Sequence, residues 1–233
     1  MRPLVISHAA CGGHAPENTL AGIRAALRFG ADGIEIDAQV SSDGVPVLMH
    51  DLTVDRTTNG SGKVASMSLE ELRALDAGGE PVPTLDEVLA LTAGKALLVI
   101  EVKQPGVEEQ IAAVVRERGA LNDVMVWAFS AQSLQAMRRA EPLLPGALLI
   151  APSASGELPN WPRRRERALR IGLQGASIFH LGISAEIAND CRRSGLALYA
   201  WTPDSQEDIA RLIDIGIDGI CTNYPDRAIA LLA

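Results

Sequence analysis

Short apolar, β-branched runs alternate with segments of helical period from one end of the chain to the other. The runs cover 4–8, 33–40, 45–50, 97–103, 124–129, 147–151, 176–180, 197–201 and 218–222. Between them apolar residues recur at helical spacing, as at Leu20, Ile23 and Leu27 behind the cap-like Asn18 and Thr19, and at Ile111, Val114 and Val115 after Gly106. Strands taking turns with helices predict an α/β fold on a parallel sheet. A (β/α)8 TIM barrel typically takes about 250 residues, close to the 233 of this chain. The pattern predicts that fold as one domain over 1–233, with a doubly wound open sheet as the structural alternative.

Two features depart from a regular barrel. Nine strands are one too many for eight positions. Ser42-Asp43-Gly44 is a tight turn that leaves no room for a helix between strands 33–40 and 45–50. The second crossover helix is therefore expected to be missing there, between these two strands, and one strand of that pair, or the last short run, is expected outside the barrel wall. Residues 52–80 carry Asn59-Gly60-Ser61-Gly62 and then a helix-period stretch over 68–75. They read as a small insertion after the third strand, placed over the barrel mouth.

Side chains two apart on a strand share a face. Glu35, Asp37 and Gln39 therefore point one way, and Ile34, Ile36, Ala38 and Val40 the other. The apolar row should pack on helices, which aims two carboxylates into the barrel. Their repulsion and desolvation are costly unless a cation lies between them, and a divalent metal is the economical answer. The same parity puts Val99, Glu101 and Lys103 on one face, adding a third carboxylate and a lysine. His8, His50-Asp51 and Trp201 close other strands, at the end where barrel enzymes keep their sites. His180 also ends a strand and is a candidate substrate contact.

Composition narrows the partners. Net charge is −8, which argues against a nucleic-acid backbone or an anionic membrane surface. No apolar run approaches the roughly 18 residues of a membrane span, so no stable membrane anchor is expected. Cys11, Cys191 and Cys221 are odd in number and scattered, without a CxxC pair. A disulfide framework or zinc cluster is not indicated, and a cytoplasmic protein acting on a small molecule is expected. Nothing in the pattern sets an oligomeric state.

The ordered motifs Ser7-His8, His14-Ala15-Pro16-Glu17-Asn18-Thr19-Leu20, Gly33-Ile34-Glu35-Ile36-Asp37, Asp43-Gly44-Val45-Pro46-Val47-Leu48-Met49-His50-Asp51 and Asp55-Arg56-Thr57-Thr58-Asn59-Gly60 are followed later by Ile100-Glu101-Val102-Lys103, Ala200-Trp201-Thr202 and Thr222-Asn223-Tyr224-Pro225. Together they resemble the glycerophosphodiester phosphodiesterase family of metal-dependent barrels. The resemblance implies that Glu35, Asp37 and Glu101 hold one divalent ion, Mg2+ or Ca2+, and that His8 and His50 perform acid–base catalysis. It further implies that Lys103 neutralises a phosphate oxygen and that Trp201 forms an apolar wall for the substrate. The implied reaction opens with attack by the substrate's own glycerol hydroxyl, giving a cyclic phosphate that water then opens. The products are glycerol 3-phosphate and an alcohol. A lysophospholipase D-type activity shares this pattern but needs an apolar groove, and a lapsed barrel that only binds a phosphorylated ligand is a third reading.

Two positions depart from the family pattern. His8-Ala9-Ala10 stands where the family usually has His-Arg-Gly, so a phosphate-facing arginine is absent, with Lys103, the metal or Arg56 as replacements. Asn223 stands where the family more often has Asp, and reads as a matter of loop structure. Other residues are set aside. His14 is expected to be loop structure, Cys11 structural rather than nucleophilic, and Trp161 packing or lid. The run of Arg163, Arg164, Arg165, Arg167 and Arg170 reads as a solvated helix face. Gly216-Ile217-Asp218-Gly219 lacks the GxGxxG spacing and is weak evidence for nucleotide binding.

Overall fold

The computed structural model describes residues 2–153, 158 and 160–233. In chain order the elements are β1 (Leu4–Ser7), α1 (Leu20–Phe29), β2 (Gly33–Val40), β3 (Pro46–Leu48), α2 (Leu69–Arg73), α3 (Leu85–Thr92), β4 (Leu97–Val102), α4 (Glu108–Glu117) and β5 (Val124–Ala128). They continue with α5 (Ala131–Ala140), β6 (Gly146–Ile150), α6 (Trp161–Ile171), β7 (Gly175–Phe179), α7 (Ala185–Ser194), β8 (Ala197–Trp201), α8 (Gln206–Ile215), β9 (Gly219–Thr222) and α9 (Pro225–Leu232). Strand bounds differ from the sequence pattern by at most two residues.

β1 pairs in parallel with both β2 and β9, and β2 with β4, so the sheet closes on itself through β4 to β9. The fold is a TIM barrel, and the open-sheet alternative is excluded. The surplus strand is β3, which runs antiparallel to β2 and has no other strand neighbour. Among the described residues no helix lies between β2 and β3, as the tight turn predicts. The tight turn at 42–44 leads only to β3, while the crossover from β2 to β4 is made later by α3. A capping box starts that helix, with the Thr84 side chain on the Glu87 amide and the Glu87 side chain on Thr84.

Strand parity sorts the core into two layers. Ile34, Ile36, Ala38, Leu98, Ile100 and Val102 pack outward in the large apolar cluster shared with the helices, for example with Ile23 and Ile111. Ile6, Val99, Met125, Trp127, Leu149, Tyr199 and Cys221 fill the barrel interior. The excursion after β3 has a small core of its own, built on Val47, Met49, Val54, Val64, Leu72 and Val82. It is tied to α1 by Glu80, whose carboxylate accepts from the Ala21 amide at 2.7 Å and from Arg24 at 3.1 Å.

Candidate active site

The inward row of β2 carries the site. Glu35 and Asp37 are 2% and 1% exposed and Glu101, across the ladder from Asp37, is 9% exposed. One oxygen from each of the three carboxylates lies within 4.8 Å of the other two. Such buried, hard, all-oxygen donors fit a divalent cation, with room in its coordination sphere for further oxygens. The lone protein cation among them is Lys103, whose Nζ lies 2.8 Å from Glu101 and 3.3 Å from Asp37. Burial, then the charges of Asp37 and Glu101, push Glu35 well above the usual carboxylate range. Burial also raises Glu101, against the pull of Lys103.

Each acid is held by a backbone or side-chain donor. Glu35 Oε2 accepts from the Ala9 amide at 2.8 Å. Asn18 clamps Asp37 twice, its Nδ2 donating to Oδ2 at 2.7 Å and its Oδ1 accepting from the Asp37 amide at 2.9 Å. The cap of α1 falls to Thr19 alone, which accepts from the Gly22 amide, so Asn18 is free for the site. Gln39, the third residue of the inward row, donates from Nε2 to the carbonyls of Met49 and Asp51. These flank His50, and Gln39 thereby fixes the segment that carries it.

The two histidines are held differently. Asp204 accepts from Asn223 Nδ2 at 2.8 Å and from the Asn223 amide at 3.0 Å, and since a carboxylate only accepts, Asn223 turns its Oδ1 toward His8 Nδ1, 2.8 Å away. That carbonyl also only accepts. Nδ1 therefore carries a proton, and Nε2 lies 4.0 Å from Glu35 Oε2. His50 Nδ1 instead meets Asp51 Oδ1 at 2.7 Å. Arg56 holds that carboxylate from Nε at 2.6 Å and NH2 at 3.1 Å, and bonds of Arg56 and His50 lower Asp51 to about 2. Arg56 is also clamped by Glu17, so its charge is spent on two carboxylates rather than offered to a phosphate.

His8, Glu35, His50, Glu101 and Lys103 line one pocket of about 120 Å³, whose other wall is Trp127, Phe129, Leu149, Trp201 and Cys221. Trp201 stands edge-on to Phe129 and Phe179, with ring centroids at 5.5 and 5.3 Å. Seven of the eight residues singled out from the sequence thus meet here, Asp37 through its contacts with Lys103 and the other acids. His180 does not. It sits in the turn after β7 with Nδ1 3.5 Å from Asp208 on α8, away from the pocket lining, and its reading as a substrate contact is corrected.

The reading of Asn223 as loop structure is also corrected, since it orients His8. Asp204 and Gln39 have no chemistry visible in the sequence. Trp127 and Phe129 could have been found by extending parity along β5, because Glu101 pairs with Trp127. His14 bonds Asp226 at 2.8 Å and stacks on Phe29, as loop structure should. Cys11 is fully buried and its thiol is raised chiefly by that burial, which leaves no thiolate nucleophile. Trp161 is packed against Asp190.

A closed barrel with an acid cluster able to hold a divalent cation and two oriented imidazoles at its mouth is the architecture of a phosphoric diester hydrolase. The glycerophosphoryl diester phosphodiesterase family profile matches residues 8–227, and the chain belongs to that family. It is similar to the glycerophosphodiester phosphodiesterase of Caldanaerobacter subterraneus subsp. tengcongensis, at 38% identity over 100% of this chain and 98% of that one. A Bacillus subtilis glycerophosphodiester phosphodiesterase is 31% identical, with 97% and 85% covered. Among solved structures, an Oleispira antarctica phosphodiesterase in complex with the product sn-glycerol-3-phosphate superposes with a TM-score of 0.86, at 27% identity and 99% and 97% coverage.

Proposed function

We propose that this chain hydrolyses glycerophosphodiesters to glycerol 3-phosphate and an alcohol, depending on a divalent cation, Mg2+ or Ca2+, held by Glu35, Asp37 and Glu101. When bound, the ion supplies Lewis acidity and neutralises charge on the phosphoryl oxygens. His8, tethered through Nδ1 to Asn223, takes the proton of the attacking hydroxyl on Nε2. His50, whose Nδ1 is tethered 2.7 Å from Asp51 Oδ1, delivers a proton from Nε2 to the departing alcohol oxygen. Lys103 adds positive charge beside the phosphate, and Trp201 with Trp127 excludes water on the opposite side.

The observation that carries this reading is the tethering of both imidazoles by Nδ1, which leaves two Nε2 atoms for one pocket beside three acids. A lysophospholipase D-type activity needs an apolar groove leading outward, and the wall past Phe129 continues into arginines instead. The test is turnover of a glycerophosphodiester panel after EDTA treatment, with Mg2+, Ca2+ or Mn2+ added back. His8→Ala and His50→Ala should each lose about 10²–10⁴-fold in kcat. Near wild-type rates in both, or full activity in EDTA, would refute the assignment.

A further inference from the structure

The arginine run of α6 does not form a uniform solvated face. Arg165 lies 3.4 Å from Asp190 and Arg170 2.5 Å from Glu166, so these two are paired. Arg163 and Arg167, one helical turn apart on α6, line a cavity of about 290 Å³, and Arg164 between them is also on its wall. Among the described residues neither Arg163 nor Arg167 has a carboxylate partner, and no acidic side chain lines this cavity. Ala131, the first residue of α5, and Asn160, which precedes α6, are also on its wall. Two helix N-termini thus add partial positive charge to the guanidinium groups. In a chain of net charge −8 this is a concentrated cationic site.

Its place matters as much as its charge. Phe129, which follows β5 and is 46% exposed, belongs to the wall of this cavity and to that of the active-site pocket. Leu148, on the outer face of β6, is also on the cleft's wall, so the cleft lies beside the barrel mouth with Phe129 between the two cavities. The glycerol half of a glycerophosphodiester carries no charge of its own, so a second anion on the substrate can only belong to the alcohol half. We propose that the cleft is an anion subsite for the departing alcohol, selecting glycerophosphodiesters whose alcohol bears a further phosphate-type group. This deepens the activity proposed above and rests on it. Arginine is suited to the task because its planar fork binds phosphate oxygens in pairs.

The test compares two diesters that differ by one further glycerophosphoryl group, glycerophosphoglycerol and 1,3-bis(glycerophospho)glycerol, with glycerophosphoethanolamine as the reference. With the wild-type chain the bis-diester should show a KM about tenfold lower than glycerophosphoglycerol, on the scale of charge-assisted bonds to phosphate and beyond the twofold from its two equivalent ends. Arg163→Glu/Arg167→Glu should abolish that preference while leaving turnover of glycerophosphoglycerol, whose alcohol is uncharged, unchanged. Arg163→Gln/Arg167→Gln should reduce it, and high salt should erode it in the wild type. Equal KM values for the two diesters, or a preference that survives in the Glu variant, would overturn the subsite. Absence of turnover on all three diesters would overturn the activity reading, and the subsite with it.

Discussion

Lys103→Met isolates the electrostatic problem at the centre of the barrel. In the cation-free protein the Lys103 ammonium, 13% exposed, bridges Glu101 at 2.8 Å and Asp37 at 3.3 Å. Three carboxylates and one ammonium leave two negative charges in a buried cluster, and methionine keeps the volume of the side chain while leaving three. Removing one partner of a buried pair typically costs about 3–5 kcal/mol. For a chain of this size 1 kcal/mol moves Tm by about 2–4 °C, so the variant should melt about 6–20 °C below wild type in EDTA. Proton uptake by Glu35, already pushed upward by burial, limits the loss, and the drop should be larger at pH 8 than at pH 5. A divalent cation should restore more stability to the variant than it adds to wild type, because it meets one more uncompensated charge. Differential scanning calorimetry with and without EDTA reads both effects. An unchanged Tm in EDTA would show that Lys103 does not balance the acids, and a Tm insensitive to Mg2+ and Ca2+ would show that the acids are not a cation site.

Wild-type stability in EDTA should itself fall as pH rises: Glu35 and Glu101 have folded values above the unfolded 4.5, so their contribution is complete below that pH and is lost as pH climbs through the raised values. Saturating divalent cation should flatten this slope, and thermal melts across pH 4.5 to about 9 check it. Asn223→Leu removes the acceptor that holds His8 Nδ1; kcat should drop roughly 10–100-fold, the size seen when partners that orient a functional histidine are removed, with KM little changed, and an unaltered kcat would show that His8 needs no tether. Ala9→Arg restores the family's arginine, and one charge-assisted bond of about 1.5–3 kcal/mol should lower KM for glycerophosphoethanolamine by about 10–100-fold. Ala9 is only 4% exposed, so an unchanged KM in a folded variant would show that position 9 does not face the phosphate.

The parts of the fold that obey a period were legible in the sequence. Alternation along β2 and β4 placed Glu35, Asp37 and Glu101 inward before any contact was known, because a strand reverses its faces at every residue. The place of the crossover helix was legible only in part. A tight turn at Ser42-Asp43-Gly44 announces a hairpin, and in a parallel barrel a hairpin is an interruption, but nothing local says that the crossover resumes forty residues later at Thr84. Residues acting through side-chain partners far along the chain were not legible either. Asn223 and His8 are 215 positions apart, and Asp204 earns its place only by fixing which way the Asn223 amide faces.

β2 explains why the site can be assembled from such distant pieces. Its three inward side chains each fix a different segment. Glu35 takes the Ala9 amide and so sets the loop that follows His8, Asp37 takes Asn18 and so sets the approach to α1, and Gln39 takes two carbonyls on either side of His50. The antiparallel pairing of β3 with the end of β2, where Ala38 faces Leu48 and Gln39 faces Val47, brings that last segment back over the same strand. An ordinary helical crossover after β2 would have carried the chain to the outside of the barrel. The irregularity is thus the means by which the second imidazole reaches the pocket, and the delayed crossover through α3 follows from it. One strand in a single register then positions two of the three acids directly and both histidines at one remove, so a shift of β2 by one residue would turn the whole inward row toward the helices and scatter the site.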